Sequence, residues 1–463
     1  MTDTSASTSR MTNTGDTPRK PDDPCPDCGA AVPVDPRFAT WCAACGWNAD
    51  SGEPDPQPGR IGAFRIALAR RHGEQLHEEL VRDGDQLPRR DVHSVLSYAL
   101  AGAVHLFTVA LAVSGVLLVV LGWNTVVQPV IGLVLLVVAF ALRPRLGRLP
   151  GDGVVLRRAD APALFTLLDE IADGVGTRAA DAVVIDARFN ASVSAYGWRR
   201  HRRVDIGLPL WATLAPQQRV ALLGHEFGHY ANGDTRHGLV IHTALRSLVT
   251  WYEVFTPARR NSRLVRADGL GELAQRAARP PAEAGLVRLA EALADVLMVL
   301  PRLAVLGVLR LLDHLTVRSA QRAEYLADRM AAGAGSSEAV VGLLDRLLTG
   351  EAVSNDLRTQ AIRARTRLPG VDPKAVEAGL WTQLAARIAS IPDREYDRLR
   401  RVSVLRGHAV DATHPPTHLR RALIADGGQL PATVVLDTDA AAAIDGELAP
   451  AHTRLAREVI RDL

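Results

Sequence analysis

The sequence predicts an α+β, predominantly helical chain with a small sheet, a transmembrane helical hairpin and a compact cysteine unit at its N-terminus. Three observations predict it. From Val92 to Leu142 there is no Asp, Glu, Lys or Arg. All four cysteines fall between residues 25 and 45, as two C-x-x-C pairs. Beyond residue 150 most apolar residues recur at helical spacing, and only short runs near 182–186, 190–195 and 204–207 read as strands.

At 463 residues the chain has room for two or three domains. Its net charge of +3 is too small to suggest a nucleic-acid binder. Positive charge is almost all arginine, with lysine only at Lys20 and Lys374, which carries no functional message. Residues 1–22 are Ser, Thr, Asp and Pro with few apolar residues, too polar to offset the entropy of ordering, and are expected to be a disordered tail. No apolar run follows the initiator, so the N-terminus is expected to start in the cytoplasm without a cleaved signal.

Cys25, Cys28, Cys42 and Cys45, with thirteen residues between the pairs and a glycine after each, read as a structural zinc ribbon over residues 23–50. A cytosolic address and the lack of other cysteines disfavour a disulfide or a redox motif. Four thiolates leave no open position, so the ribbon is given no catalysis. With only Arg37 between the knuckles, a protein partner fits it better than nucleic acid. Residues 51–91 read as a Gly-, Pro- and Asp-rich linker followed by a charged helix of no assigned role.

The uncharged run over 92–142 is too long for one crossing of a hydrocarbon core about 30 Å thick and suits a hairpin, with spans near Ser97–Leu121 and Val126–Leu142. Arg89 and Arg90 precede it, and Arg143, Arg145 and Arg148 follow it. The positive-inside bias therefore puts both flanks inside and the Gly122–Thr125 loop outside. The chain is expected at the cell membrane, multi-pass, with the lipid bilayer as a partner and with ribbon and main domain facing the cytoplasm.

The main domain is read over 150–426. Residues 161–175 form an amphipathic helix. Trp198-Arg-Arg-His-Arg-Arg203 is a basic turn, read as a solvated hairpin tip, with contact to anionic lipid as the other reading. Next comes Leu222-Leu-Gly-His-Glu-Phe-Gly-His-Tyr230, which contains H-E-x-x-H at His225, Glu226 and His229. Residues four apart on a helix share a face, so both imidazoles can reach one metal ion with the glutamate beside it. The apolar Val220–Leu223 before the motif and Asn232-Gly233-Asp234 after it supply the helical setting. Catalytic zinc needs a third protein ligand. Asn232 and Thr235 stand where a further histidine site would need glycine and histidine, which leaves a distant carboxylate. Glu324 and Asp328, four apart on a predicted helix, offer one group for the metal and one for the N–H of a ligating histidine.

Two apolar segments lie between these motifs. Residues 239–255 contain only Arg246 and Glu253, and residues 286–315 contain six charges within an arc of about 100° on a helical wheel. The pair is expected either embedded in the membrane against a polar seam or packed within the protein, since crossing would export six loop arginines. Helices are expected over 337–348, 373–390 and 417–426, the last after the break at His414-Pro-Pro, and the alanine-rich 427–463 segment carries no functional signal.

His225-Glu-Phe-Gly-His229, then Glu324-Tyr-Leu-Ala-Asp328, with Asn190-Ala191 upstream and His414-Pro-Pro-Thr-His-Leu-Arg420 downstream, resembles the HtpX-type and CAAX-prenyl-endopeptidase family of membrane gluzincin metallopeptidases, across roughly residues 95–425. The resemblance implies catalytic zinc on His225, His229 and Glu324, Glu226 as general base, and Asp328 behind a histidine. It implies too that the strand at Asn190-Ala191 pairs with extended substrate, and that His414 and Arg420 lie near the site. His414 is assigned to the transition state and Arg420 to the substrate side. The expected function is a zinc metalloendopeptidase acting on polypeptide, with one catalytic and one structural Zn2+. The alternative is a membrane-anchored adaptor whose ribbon recruits a protein partner while the peptidase fold is idle.

Overall fold

Tight turns close the ribbon. In the computed structural model, which describes residues 23–52, 60–83, 92–143, 148–151, 153–231, 234–256, 296–366, 372–407 and 414–463, strands β1 (Asp23–Pro24) and β2 (Ala31–Val32) pair antiparallel. The amides of Gly29 and Gly46 return to the carbonyls of Cys25 and Cys42, and both glycines adopt positive φ, +73° and +81°. The expected tail, most of the linker, residues 84–91, Arg145 and residues 257–295 lie outside the described residues.

Helix α1 (Arg60–Asp83) is the charged helix, and α2 (Val92–Leu121) and α3 (Val127–Leu142) form the hairpin. Among the described residues α2 is the one helix long and apolar enough to cross a membrane, while α3 is a shorter apolar helix of 16 residues. The two meet where a Cβ on Gly115 would lie 2.9 Å from the Gly132 carbonyl oxygen, a backbone approach that small residues permit. Leu106, Phe107, Val120, Leu133 and Phe140 are exposed along the hairpin.

In the main domain a four-stranded sheet runs β3 (Val154–Leu156), β4 (Ala182–Asp186), β6 (His201–Gly207), β5 (Ala191–Tyr196). Only β4 and β6 are parallel, and among the described residues β5 is an edge strand. The predicted basic turn is shorter than expected. His201–Arg203 belong to β6, where the Arg202 amide donates to Asp181 and Arg203 pairs with Asp205, so the turn is Gly197–Arg200. Helix α4 (Pro162–Val175) covers the sheet with Leu164, Phe165, Leu168 and Ile171. After the short α5 (Leu208–Trp211), α6 (Pro216–Ala231) carries the H-E-x-x-H motif into this core.

Helices α7 (Asp234–Val254) and α8 (Val299–Gly335) are the second apolar pair. Ala244, Leu248 and Trp251 of α7 and Val305 and Leu312 of α8 pack in one cluster with Ala101 and Val104 of α2 and Leu142 of α3. The Trp251 indole donates to the Leu142 carbonyl at 2.9 Å. The described part of the pair is therefore packed against the hairpin.

Helices α9 (Ser337–Leu347), α10 (Gly350–Arg365), α11 (Pro373–Ala389), α12 (Asp393–Arg406) and α13 (Thr417–Ala425) complete the predicted domain, followed by α14 (Thr438–Glu447) and α15 (Ala449–Asp462). The segment that follows residue 426 packs onto this domain. Val434, Leu436, Ile444, Leu455 and Val459 join the same core as the sheet, and the Glu447 carboxylate caps α4 by accepting from the amides of Ala163 and Leu164.

Candidate metal centre and active site

Small residues bring the two motif helices together. A Cβ on Gly228 would lie 2.9 Å from Ala327 Cα, and one on Gly224 would lie 3.2 Å from Ala331 Cα, so α6 and α8 cross almost backbone to backbone. That crossing sets Glu324 opposite the paired histidines. His225 Nε2 and His229 Nε2 are 3.3 Å apart, His225 Nε2 is 3.4 Å from Glu324 Oε2, and His229 Nε2 is 3.4 Å from Glu324 Oε1. Ligands at zinc–nitrogen and zinc–oxygen distances of about 2.0–2.1 Å on a tetrahedron stand roughly 3.3 Å apart, so the donor set fits such an ion. Glu324 Oε2 is also buried with no hydrogen bond made to it, an orphaned acceptor that a cation would satisfy.

Behind the ligands lies a buried ion network. Asp328 Oδ1 is 3.0 Å from His225 Nδ1, which fixes that ring with Nε2 turned toward Glu324. Arg420 Nε and Nη2 each donate to Asp328 at 2.7 Å, and Nη1 stands 3.6 Å from Glu324. Burial alone would lower the His225 pKa, but the Asp328 and Glu324 carboxylates outweigh it and push it up to about 10. Burial likewise raises Glu324 and Asp328, and the neighbouring imidazolium and guanidinium charges overcome it and hold both carboxylates ionised, below the usual range. Arg420 is itself buried, at 3% exposure. Two of its three guanidinium nitrogens are engaged by Asp328, which sets the group behind His225.

His414 does reach the centre, with Nε2 3.3 Å from Glu324 Oε2. Glu226 is buried on the same turn as the histidines, at 7% exposure. The sheet edge is tied to this helix by Tyr230, whose hydroxyl donates to the carbonyls of Ser194 at 2.8 Å and Arg203 at 3.1 Å. Asn190 and Ala191 divide between the two sides of β5. The Asn190 carbonyl accepts from the Gly207 amide at 2.8 Å, where a Cβ on Gly207 would lie 2.4 Å from that oxygen. By antiparallel alternation Ala191, Val193 and Ala195 turn their amides and carbonyls to the open edge. Tyr230 and the two glycines were not singled out from sequence, although Gly224 and Gly228 at i, i+4 are a legible sign of close helix packing.

In the ribbon the sulfurs of Cys25 and Cys45, and of Cys28 and Cys42, are 3.6 Å apart, near the roughly 3.8 Å expected of a tetrahedral four-thiolate zinc site. The amide of Cys45 is the main cause that draws the Cys42 thiol down to about 6. The Trp47 amide lowers Cys45, but burial and the three neighbouring sulfurs raise it to about 12, so four crowded sulfurs ionise together only with a cation among them. Among the described residues these two clusters are the ones whose ligand atoms converge for a metal ion.

No curated protein and no solved structure matches the chain. A family profile does, over residues 159–425, which span the edge strand, both helical motifs and the arginine that pins Asp328. The chain therefore belongs to peptidase family M48, a family of zinc metallopeptidases.

Proposed function

We propose that the chain is a membrane-bound, zinc-dependent endopeptidase that hydrolyses peptide bonds of membrane or misfolded proteins at the cytoplasmic face. The observation that carries this reading is the convergence of His225, His229 and Glu324 at mutual distances of 3.3–3.4 Å within a matched peptidase domain. The exposed apolar hairpin supports the membrane part.

His225, His229 and Glu324 would hold the catalytic ion, and the four ribbon cysteines a structural one. When bound, the ion supplies Lewis acidity to the scissile carbonyl and acidity to the attacking water. Glu226 accepts the proton of that water and returns it to the leaving amine. His414 donates a hydrogen bond to the oxyanion as it develops. The open edge of β5 pairs with extended substrate backbone, giving affinity with little side-chain selectivity. Asp328 and Arg420 fix the His225 ring. Glu226→Gln should keep two zinc ions per chain and lose cleavage of a casein-like substrate. Undiminished cleavage by that variant removes Glu226 from the mechanism.

A further inference from the structure

The ribbon and α1 precede the matched family region, yet both grip the chain that delivers His414. On α12, Arg394, Arg398 and Arg401 form one stripe at helical spacing. Arg394 donates to the carbonyls of Pro33 and Trp41, Arg398 to that of Ala49 at 2.8 Å, and Arg401 to that of Ala43 at 2.6 Å. The guanidinium groups of Arg394 and Arg401 flank the Trp41 ring at 5.5 and 5.1 Å, and the ring is 1% exposed. At the end of α12, Arg406 pairs with Asp50, with its Nη2 2.5 Å from Oδ1. These contacts fix the ribbon as a docked part of the enzyme.

Helix α1 holds the other side. Gln321 donates to the Ala69 carbonyl at 2.8 Å and Tyr325 to that of Gly73 at 3.1 Å, on either side of Glu324 in α8. Leu76 and Leu80 pack with Tyr325 and Leu423. Gly73 is a seat for the prolines after His414: a Cβ there would lie 2.9 Å from Pro416 Cδ and 3.6 Å from Pro415 Cβ. A Cβ on Gly407, which follows Arg406, would lie 3.2 Å from Arg70 Nη1. Gly407 at the end of α12, and Pro415 and Pro416 next to His414, therefore each lie against residues of α1.

We infer that the ribbon, by docking α12, and α1, by seating Pro415 and Pro416, together hold His414 at the centre, which makes Asp50 and Gly73 positioning residues for the peptidase reaction. The inference rests on the role given to His414 above. A shift of about 1 Å in a transition-state group can cost roughly 100-fold in rate, so small displacements at either grip are felt.

The test uses the full chain in nanodiscs, with Asp50→Arg, Arg406→Asp, their combination and Gly73→Val. Three quantities are read: kcat and KM on a fluorogenic peptide, zinc per chain, and hydrogen exchange of peptides from α12 and α13, on either side of His414. Each charge reversal should lower kcat about threefold or more and Gly73→Val about tenfold or more, with KM within about twofold and two zinc ions retained, and with faster exchange in α12 for the reversals and in α13 for Gly73→Val. The combined reversal should restore both kcat and exchange, which a general loss of folding would not allow. Unchanged kcat and exchange in all variants, or reversals that the combination does not rescue, overturn the inference. Should wild type cleave nothing, the role of His414 falls, and exchange alone still decides whether the ribbon and α1 hold α12 and α13. Should Gly73→Val not fold, the charge pair decides.

Discussion

Replacing Arg420 with methionine tests the buried pair on which the ligand geometry depends. Methionine keeps roughly the length and the apolar stem of arginine but removes the charge and every donor. Asp328, 1% exposed, then loses two 2.7 Å hydrogen bonds and keeps only its 3.0 Å contact with His225. Glu324 loses the guanidinium 3.6 Å away. Breaking a buried ion pair by removing one partner costs about 3–5 kcal/mol, because the other charge stays buried and unpaired. At about 2–4 °C per kcal/mol for a domain of moderate size, the midpoint of thermal unfolding should fall by roughly 6–20 °C. Arg420→Met combined with Asp328→Leu should recover much of that stability, since no charge is then stranded. Zinc affinity should stay about 10–100-fold weaker in the double variant, because nothing fixes the His225 ring. The assay is near-UV circular dichroism on heating in detergent, with zinc titrated against a competing chelator. A midpoint within about 2 °C of wild type in the single variant, with wild-type zinc affinity, would refute the account.

Other outcomes follow from the same geometry. In zinc-free protein the folded His225 pKa of about 10 exceeds its ordinary 6.5, so its protonated form contributes stability that is full below about 6.5 and drains away as pH rises toward 10. Zinc must displace that proton, so calorimetry near pH 7.5 in buffers of different ionisation enthalpy should show close to one proton released, and none released refutes it. Gly228→Val drives a side chain into Ala327 Cα, 2.9 Å from its Cβ, and should abolish catalytic zinc binding while the ribbon keeps its ion; two ions per chain would count against the close crossing. Tyr230→Phe removes the tie between α6 and the sheet edge and should raise KM more than it lowers kcat, at a stability loss of about 1 kcal/mol; an unchanged KM separates the edge strand from substrate binding. Cys45→Ser should leave one zinc ion per chain by elemental analysis.

What the sequence revealed was local. H-E-x-x-H needs only helical periodicity to place His225 and His229 on one face, and the uncharged run is a pattern of neighbours in the chain. β4 was legible residue for residue because its run is apolar on both faces. β6 began three residues earlier than expected, because the charges of His201–Arg203 signalled a turn while in the fold Arg202 donates to Thr177 in the loop after α4 and Arg203 pairs with Asp205 two residues along its own strand. Nonlocal pairings stayed hidden. Arg420 and Asp328 are 92 residues apart, and no pattern in either segment announces that they neutralise each other. The C-terminal segment looked empty for the same reason: the contact that gives Glu447 its task is an N-terminus 284 residues earlier.

Helix α8 joins the parts that the sequence left separate. Its 37 residues span about 55 Å. Its first turns give Val305 and Leu312 to the apolar cluster on the hairpin. Arg318 then pairs with Glu79 of α1, and Gln321 and Tyr325 bind the α1 backbone. Glu324 and Asp328 face the histidines, and Ala327 and Ala331 seat the glycines of α6. The described part of the 286–315 segment, from Val299 on, is the front of a single helix, apolar where it meets the hairpin and polar where it enters the domain, which is why it admitted two readings. A continuous helix has no hinge to absorb a twist, so rotation at the apolar cluster is carried to Glu324. The packing of the hairpin and the alignment of the third ligand are set by one element, which is a physical reason for an exposed apolar hairpin and a peptidase centre to share a chain.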